Sequence, residues 1–220
     1  MPEEQALPAK KKNQIEEIDK LIDYLKTGGS LGLEIEKKFE EMPEKYSAIF
    51  VTRQEKNNLV IANLIKNFCK KGLPGIFVTM NKSAEDLLKM AEKNHAVCDN
   101  MAIIDTVSKK EAAPLKKSER IAYVDSPQDL TEIETEISEF MGKMPPGPKF
   151  FILDSVSTML VYNAEKTVEK FVHRLGERLR GSDFKAVFIV MDGTRPEIMN
   201  VLSQFCDKVI KPNPIIISQT

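Results

Sequence analysis

The side chains best suited to chemistry gather where short apolar runs come to an end. Phe150-Phe151-Ile152-Leu153 ends in Asp154, with Ser155 and Ser157 just beyond. Ser47 to Thr52 leads into Arg53-Gln54-Glu55-Lys56-Asn57-Asn58, and Gly75 to Thr79 leads into Met80-Asn81-Lys82-Ser83. Met101 to Asp105 runs on to Ser108, and Ala186 to Met191 runs on to Arg195. In an open parallel sheet, ligands bind beyond the carboxyl ends of the strands, so these five segments are where a site belongs. Taken one by one, most enzymatic readings fail. Ser155 or Ser157 with His173 lacks the G-x-S-x-G turn of a serine hydrolase, and His173 falls inside a helical run. Cys98 with His95 has no third group to orient a thiol nucleophile. A phosphate-accepting Asp105 or Asp154 needs further acids near the first strand, which here ends in Thr52-Arg53. For Asp154 the simplest role is structural: accepting hydrogen bonds from nearby backbone, Ser155 or Ser157.

The elements that must position these residues can be read from periodicity. Asn57 to Lys71 predicts a helix burying Leu59, Val60, Leu64, Ile65 and Phe68, closed by Gly72. Ser83 is placed to cap a helix over Ala84 to Lys93, with Glu85 and Asp86 in its favourable first turn. Further helices are expected over 129–141, 165–180 and from Pro196, and further strands over 121–124 and from Lys208, with Ile215-Ile216-Ile217 near the C-terminus. Short buried strands joined by helices require a mostly parallel sheet covered on both faces. Ahead of this region, residues 1–12 read as a disordered arm and 13–44 as a helical extension. Ile15, Ile18, Ile22 and Leu25 mark one face of a helix suited to interaction, and 31–42 reads as a second, short helix.

Several of these runs resemble a known family. Gly72-Leu73-Pro74-Gly75-Ile76-Phe77-Val78-Thr79 with Ser83 to Lys93 is similar to the second strand and helix of KaiC-type members of the RecA ATPase superfamily. Phe150 to Leu160 is similar to that family's Walker B strand and following loop, and 186–210 to its last strands. The resemblance covers about residues 45–212 and implies a three-layer α/β domain over 45–220. It also implies kinship with P-loop-less relatives common in archaea.

The departures lie in the chemical loops. The family's ATPases carry G-x-x-x-x-G-K-[ST] after the first strand: glycines expose N–H groups to the phosphates, lysine neutralises charge, and the hydroxyl holds magnesium. In this chain the segment has no glycine, is about two residues shorter, and places Asn57 and Asn58 in the Lys and Ser/Thr positions. Glu55 sets a carboxylate against any phosphate, and Lys56 offers a single cation. Where the family has adjacent glutamates after the second strand, Asn81-Lys82 stands, and neither group can take a proton from water. Asp154, which in the family orients magnesium, is left as one carboxylate, a poor magnesium site by itself. The resemblance with these losses implies a pseudo-ATPase with no catalytic residue. Glu55, Lys56, Asn57, Asn58, Asn81, Lys82, Asp154 and Ser155 are then vestiges of a nucleotide site. The alternative is an atypical nucleotide switch or weak ATPase, and only that reading needs ATP and magnesium as cofactors.

Composition narrows the partners. Lys and Arg number 32 against 33 Asp and Glu, so no net field favours nucleic acid or an anionic membrane. The basic cluster of Lys109, Lys110, Lys116, Lys117 and Arg120 is interrupted by Glu111 and Glu119 and reads as a solvated loop. No apolar run is long enough to span a membrane, and no secretory signal opens the chain. The 3 cysteines, with no C-x-x-C pair, read as free thiols of a cytoplasmic protein, and no metal site is expected. Protein partners remain: a second copy of the chain, or an active RecA/KaiC-like relative.

Overall fold

A computed structural model describes residues 29–96, 98–108 and 118–211. The arm over 1–12, the helix carrying Ile15, Ile18, Ile22 and Leu25, the basic segment 109–117 and the Ile215 to Ile217 run lie outside these residues. The chain order is α1 (Gly29–Glu40), β1 (Tyr46–Thr52), α2 (Asn57–Cys69), β2 (Gly75–Thr79), α3 (Ala84–Lys93), β3 (Met101–Asp105) and β4 (Ile121–Tyr123). Then follow α4 (Leu130–Lys143), β5 (Lys149–Asp154), α5 (Val156–Tyr162), α6 (Glu165–Gly181), β6 (Phe184–Met191), α7 (Pro196–Gln204) and β7 (Lys208–Ile210).

The strands form one sheet in the order β4-β3-β2-β5-β6-β1-β7, and every pairing between named strands is parallel. Because side chains alternate across a strand, consecutive residues feed opposite cores. Ile49, Ile76, Ile104, Phe151, Leu153 and Phe188 face α4 to α7, packing on Ile133, Phe171, Leu175 and Leu202. Phe50, Phe77, Ile103, Phe150, Ile152 and Val187 face α1 to α3, packing on Ile35, Phe39, Val60, Leu64, Phe68 and Leu87. The result is the expected α/β sandwich of three layers, its strands buried on both faces. On the second face the Phe68 and Phe150 rings stack with centroids 5.0 Å apart. Gly75, paired with Phe150 across the sheet, has to be glycine because any Cβ there would collide with the Phe150 ring.

Local signals place several helix ends. The Ser83 Oγ accepts from the Asp86 N–H at 3.0 Å, and Asp129 accepts from the Glu132 N–H at 3.0 Å, each as an N-cap. α2 stops two residues earlier than its periodicity suggests. Gly72, at φ 68°, turns the chain, and its N–H bonds to the Cys69 carbonyl at 2.9 Å. α1 runs from Gly29, not Leu31, and ends at Glu40, before the expected Met42. One helix escapes the periodicity altogether: α5, read above as the loop after β5, is a 7-residue helix capped by Ser155.

The strand order locates the site. From β1 the chain crosses to β2, three positions away, and then proceeds outward through β3 and β4. It returns to fill the gap with β5 and β6. The winding direction therefore reverses between β2 and β5, which in an open parallel sheet is where a crevice for a ligand forms beyond the carboxyl ends. Asn81 and Lys82 follow β2 there, and Asp154 ends β5.

Candidate functional site

Asp154 is the centre of that crevice. Its side chain is completely inaccessible to water, and two side-chain amides converge on one oxygen. Asn57 Nδ2, from the first residue of α2, and Asn81 Nδ2 each donate to Asp154 Oδ1 at 3.1 Å. Lys82 Nζ stands 3.9 Å from Asp154 Oδ2. Among the described residues that second oxygen has no hydrogen-bond donor, and no group reaches the buried Oδ1 of Asn57. Burial pushes the Asp154 carboxyl above its ordinary value, against the opposing pull of the Lys82 charge and the two amide donors. Around this centre Thr158 Oγ1 donates to Asn81 Oδ1 at 2.5 Å and lies 3.0 Å from Ser155 Oγ. Thr79 Oγ1 accepts from the Lys82 N–H at 3.3 Å and donates to the Lys82 carbonyl at 2.8 Å, fixing the backbone that aims Lys82.

Of the residues singled out from sequence, Asn57, Asn81, Lys82 and Asp154 meet directly, and Ser155 joins through Thr158. Glu55 and Asn58 do not: both are exposed, as the turn carries them to the surface. Lys56 is half-buried and its main chain only closes the turn. The proposed donors to Asp154 need correcting. Ser155 spends its hydroxyl capping α5, accepting from the Thr158 N–H at 3.2 Å. Ser157 Oγ accepts from the Met191 N–H at 2.8 Å and pairs with Thr194 at 3.0 Å. Ser155 is drawn away as the N-cap of α5, whereas Ser157, on the first turn of that helix, is turned toward the end of β6. Thr158 was the participant missed. Its signal was the Ser155-x-x-Thr158 spacing, legible only once a helix is known to start there.

Two other expectations change. Cys69 and Cys98 are joined in a disulfide with Cα atoms 5.6 Å apart, so they are not free thiols and Cys98 is no nucleophile. Their separation of 29 residues hid the pairing, which exists only because α2 and the chain entering β3 lie side by side. Cys206 is a free thiol as expected. Asp105 is fully committed: it accepts from the N–H groups of Ala84 at 2.6 Å, Val107 at 2.8 Å and Ser108 at 3.0 Å, and from the Ser108 hydroxyl at 2.6 Å. Wholly buried, it has no room for a phosphate. His173 rests on the Phe205 ring and faces Glu177 at 3.5 Å, engaged apart from the serines.

Magnesium triphosphate, the group implied by the resemblance, suits this donor set poorly. A phosphate cradle needs N–H groups turned outward at the start of α2. A single 3-10 turn at Gln54–Lys56 bends two of them inward: Lys56 N–H to the Arg53 carbonyl at 3.0 Å, and Asn57 N–H to the Gln54 carbonyl. The metal's place beside Asp154 is shared by two amides and an ammonium, and no cluster of three His, Cys, Asp or Glu able to hold a metal occurs among the described residues.

No curated protein matches the sequence. Among solved structures, the chain is similar to a KaiC-like protein from the hyperthermophilic archaeon Pyrococcus horikoshii. The identity is 18%, covering 80% of this chain and 76% of that one, with a TM-score of 0.50. At that identity the likeness speaks for the fold, which is RecA-like. A family model matches residues 61–211, from within α2 to just past β7. The chain therefore belongs to DUF7504, a family of unknown function.

Proposed function

We propose that this chain is a catalytically inactive RecA/KaiC-like domain, a pseudo-ATPase that works as a protein-interaction module to regulate or assemble its partners. The carrying observation is the way Asp154 is occupied. An ATPase keeps this carboxylate open toward a metal; in this protein Asn57, at the start of α2, and Asn81 and Lys82, in the loop after β2, close around it from two separate segments. Lys82 supplies an internal positive charge where a metal would otherwise be recruited, and Asn81 offers no base to activate water. The 3-10 turn supports the same reading, because its inward N–H groups cannot wrap a phosphate without unwinding.

A fold that keeps its two cores while its phosphate and metal loops fill with neutral amides is suited to recognition by surface. The partner is either a second copy or an active RecA/KaiC-like relative, and the setting is the cytoplasm. No helix among the described residues is long and apolar enough to cross a membrane. Calorimetric titration with ATP and magnesium, with phosphate release followed in parallel, tests the core of the proposal. Neither heat nor phosphate is expected at millimolar nucleotide. Micromolar binding would replace it with a nucleotide switch built on Lys56, Asn57, Asn58 and Asp154. Light scattering coupled to size exclusion tests the self-association arm, which a strict monomer at high concentration would remove.

A further inference from the structure

The Cys69–Cys98 bond lies at the end of the sheet opposite the crevice, joining the last residue of α2, whose first residue is Asn57, to the segment Asn94 to Asn100 that enters β3. Three features set it apart from a staple the fold depends on. First, it is peripheral: both cysteines are half-buried and pack only on the edge of the α1–α3 core, whose large side chains are engaged without them. Second, the segment it tethers has other anchors. The Ala96 N–H bonds to the Ala91 carbonyl at 2.8 Å, the Gly75 N–H to the Asn100 carbonyl at 3.1 Å, and Arg120 donates to the Asp99 carbonyl. Third, it is reachable: Cys98 lines a cavity of about 260 Å³ formed with Leu88, Ala91, Met101, Arg120 and Ile121.

The third cysteine cannot serve it. Cys206 packs against the core on the opposite face of the sheet from Cys69 and Cys98, so a layer of strands separates the thiol from the bond. Burial also pushes the Cys206 thiol up to about 11, leaving little thiolate at neutral pH. Any exchange partner must come from outside.

We propose that Cys69–Cys98 is a reversible thiol–disulfide site for low-molecular-weight thiols, entered through this cavity, whose state sets how firmly the Asn94 to Asn100 segment is held to α2. An external thiolate attacks the Cys98 sulfur; the S–S bond breaks and Cys69 departs as thiolate beside the exposed Lys70 and Lys71. A second external thiolate attacks the external sulfur of the mixed disulfide and releases the Cys98 thiolate. The two external thiols lose two electrons and become one disulfide. Their two protons end on Cys69 and Cys98. The reverse passage, with the oxidised external disulfide as acceptor, restores the bond.

The test uses the full chain, oxidised, incubated in buffers of stated reduced-to-oxidised glutathione ratio, then alkylated and weighed, with amide exchange read by mass spectrometry. A reversible two-electron transition with unchanged far-ultraviolet circular dichroism is expected. Amide exchange should rise about tenfold or more over 94–100 and the last turn of α2, and stay fixed in β1, β5 and β6. The C69S/C98S double variant should fold and reproduce the reduced exchange pattern, and C206S should titrate like the parent. A bond that resists reduced glutathione until denaturant is added overturns the proposal, as does loss of the whole fold on reduction or in the double variant. A C206S protein that no longer exchanges overturns the external route.

Discussion

Two aspartates end neighbouring regions of the same sheet, both fully buried, and they have opposite surroundings. Asp105, at the end of β3, collects three backbone N–H groups and a hydroxyl, spread over both oxygens. Asp154, at the end of β5, receives two side-chain amides on one oxygen, and the other, 3.9 Å from Lys82, has no donor among the described residues. Backbone donors cannot be lost without refolding the chain, so Asp105 is a clamp that ties the start of α3 to the end of β3. Side-chain donors are recruited individually by substitution, and an oxygen left unpaired in the interior costs free energy that a purely structural carboxylate avoids. The contrast separates a carboxylate held by backbone from one held only by side chains, as the proposed loss of a nucleotide site would leave it. That separation can be broken or sharpened by substitution.

The largest expected effect is at Asp105. Asp105→Ala strands the Ala84, Val107 and Ser108 N–H groups, and should cost about 3 kcal/mol or more, up to loss of the folded state. Urea denaturation followed by circular dichroism measures it; a cost near zero would erase the distinction. Next comes Lys82→Ala, which leaves the Asp154 charge buried without a cation. A loss of about 1–2 kcal/mol is expected at neutral pH, below the value for a close buried pair because Lys82 remains partly solvated. In an Asp154→Asn background the same substitution should cost almost nothing, and a double-mutant cycle reads the difference.

Asp154→Asn alone should act in the opposite direction. The folded pKa of Asp154 is raised above its ordinary 3.8, so its protonated form is favoured in the folded state. The associated stability is complete below the unfolded value and is lost as pH rises through the folded one. The parent should therefore weaken, relative to Asp154→Asn, from about pH 4 upward, and at neutral pH the variant should be the more stable by roughly 1 kcal/mol. Paired denaturation curves from pH 4 to 8 decide it; a parent that strengthens over that range would show the carboxylate to be well served after all. The smallest effects belong to Glu55→Gln and Asn58→Ala. Both positions are exposed, and each should stay within about 0.5 kcal/mol. A larger loss at Asn58 would bring it back into the cluster from which the turn excludes it.

Much of the fold was legible because its strands are buried on both sides. Runs such as Phe150 to Leu153 need no partner to be recognised, and Ser83 and Asp129 mark their helix starts within four residues of sequence. α5 was missed because Val156 to Tyr162 spans only two turns and mixes β-branched with polar residues, a length at which periodicity cannot distinguish helix from loop. The candidate site was legible as a set of segments, since strand ends are known once the strands are. Its bonding was not. Asn57 reaches Asp154 across 97 residues and Asn81 across 73, while Ser155, one residue away, turns elsewhere.

By itself the sequence determined the layering of this protein, the ends of most elements and the chemical types available at the crevice, because each depends on neighbours within a few residues. The tertiary structure alone decided which amides hold Asp154, that Lys82 rather than Lys56 lies beside it, and that Cys69 meets Cys98. Those are outcomes of strand order. A parallel sheet brings together segments that the chain visits at widely separated times, and no local pattern encodes which of them will become neighbours.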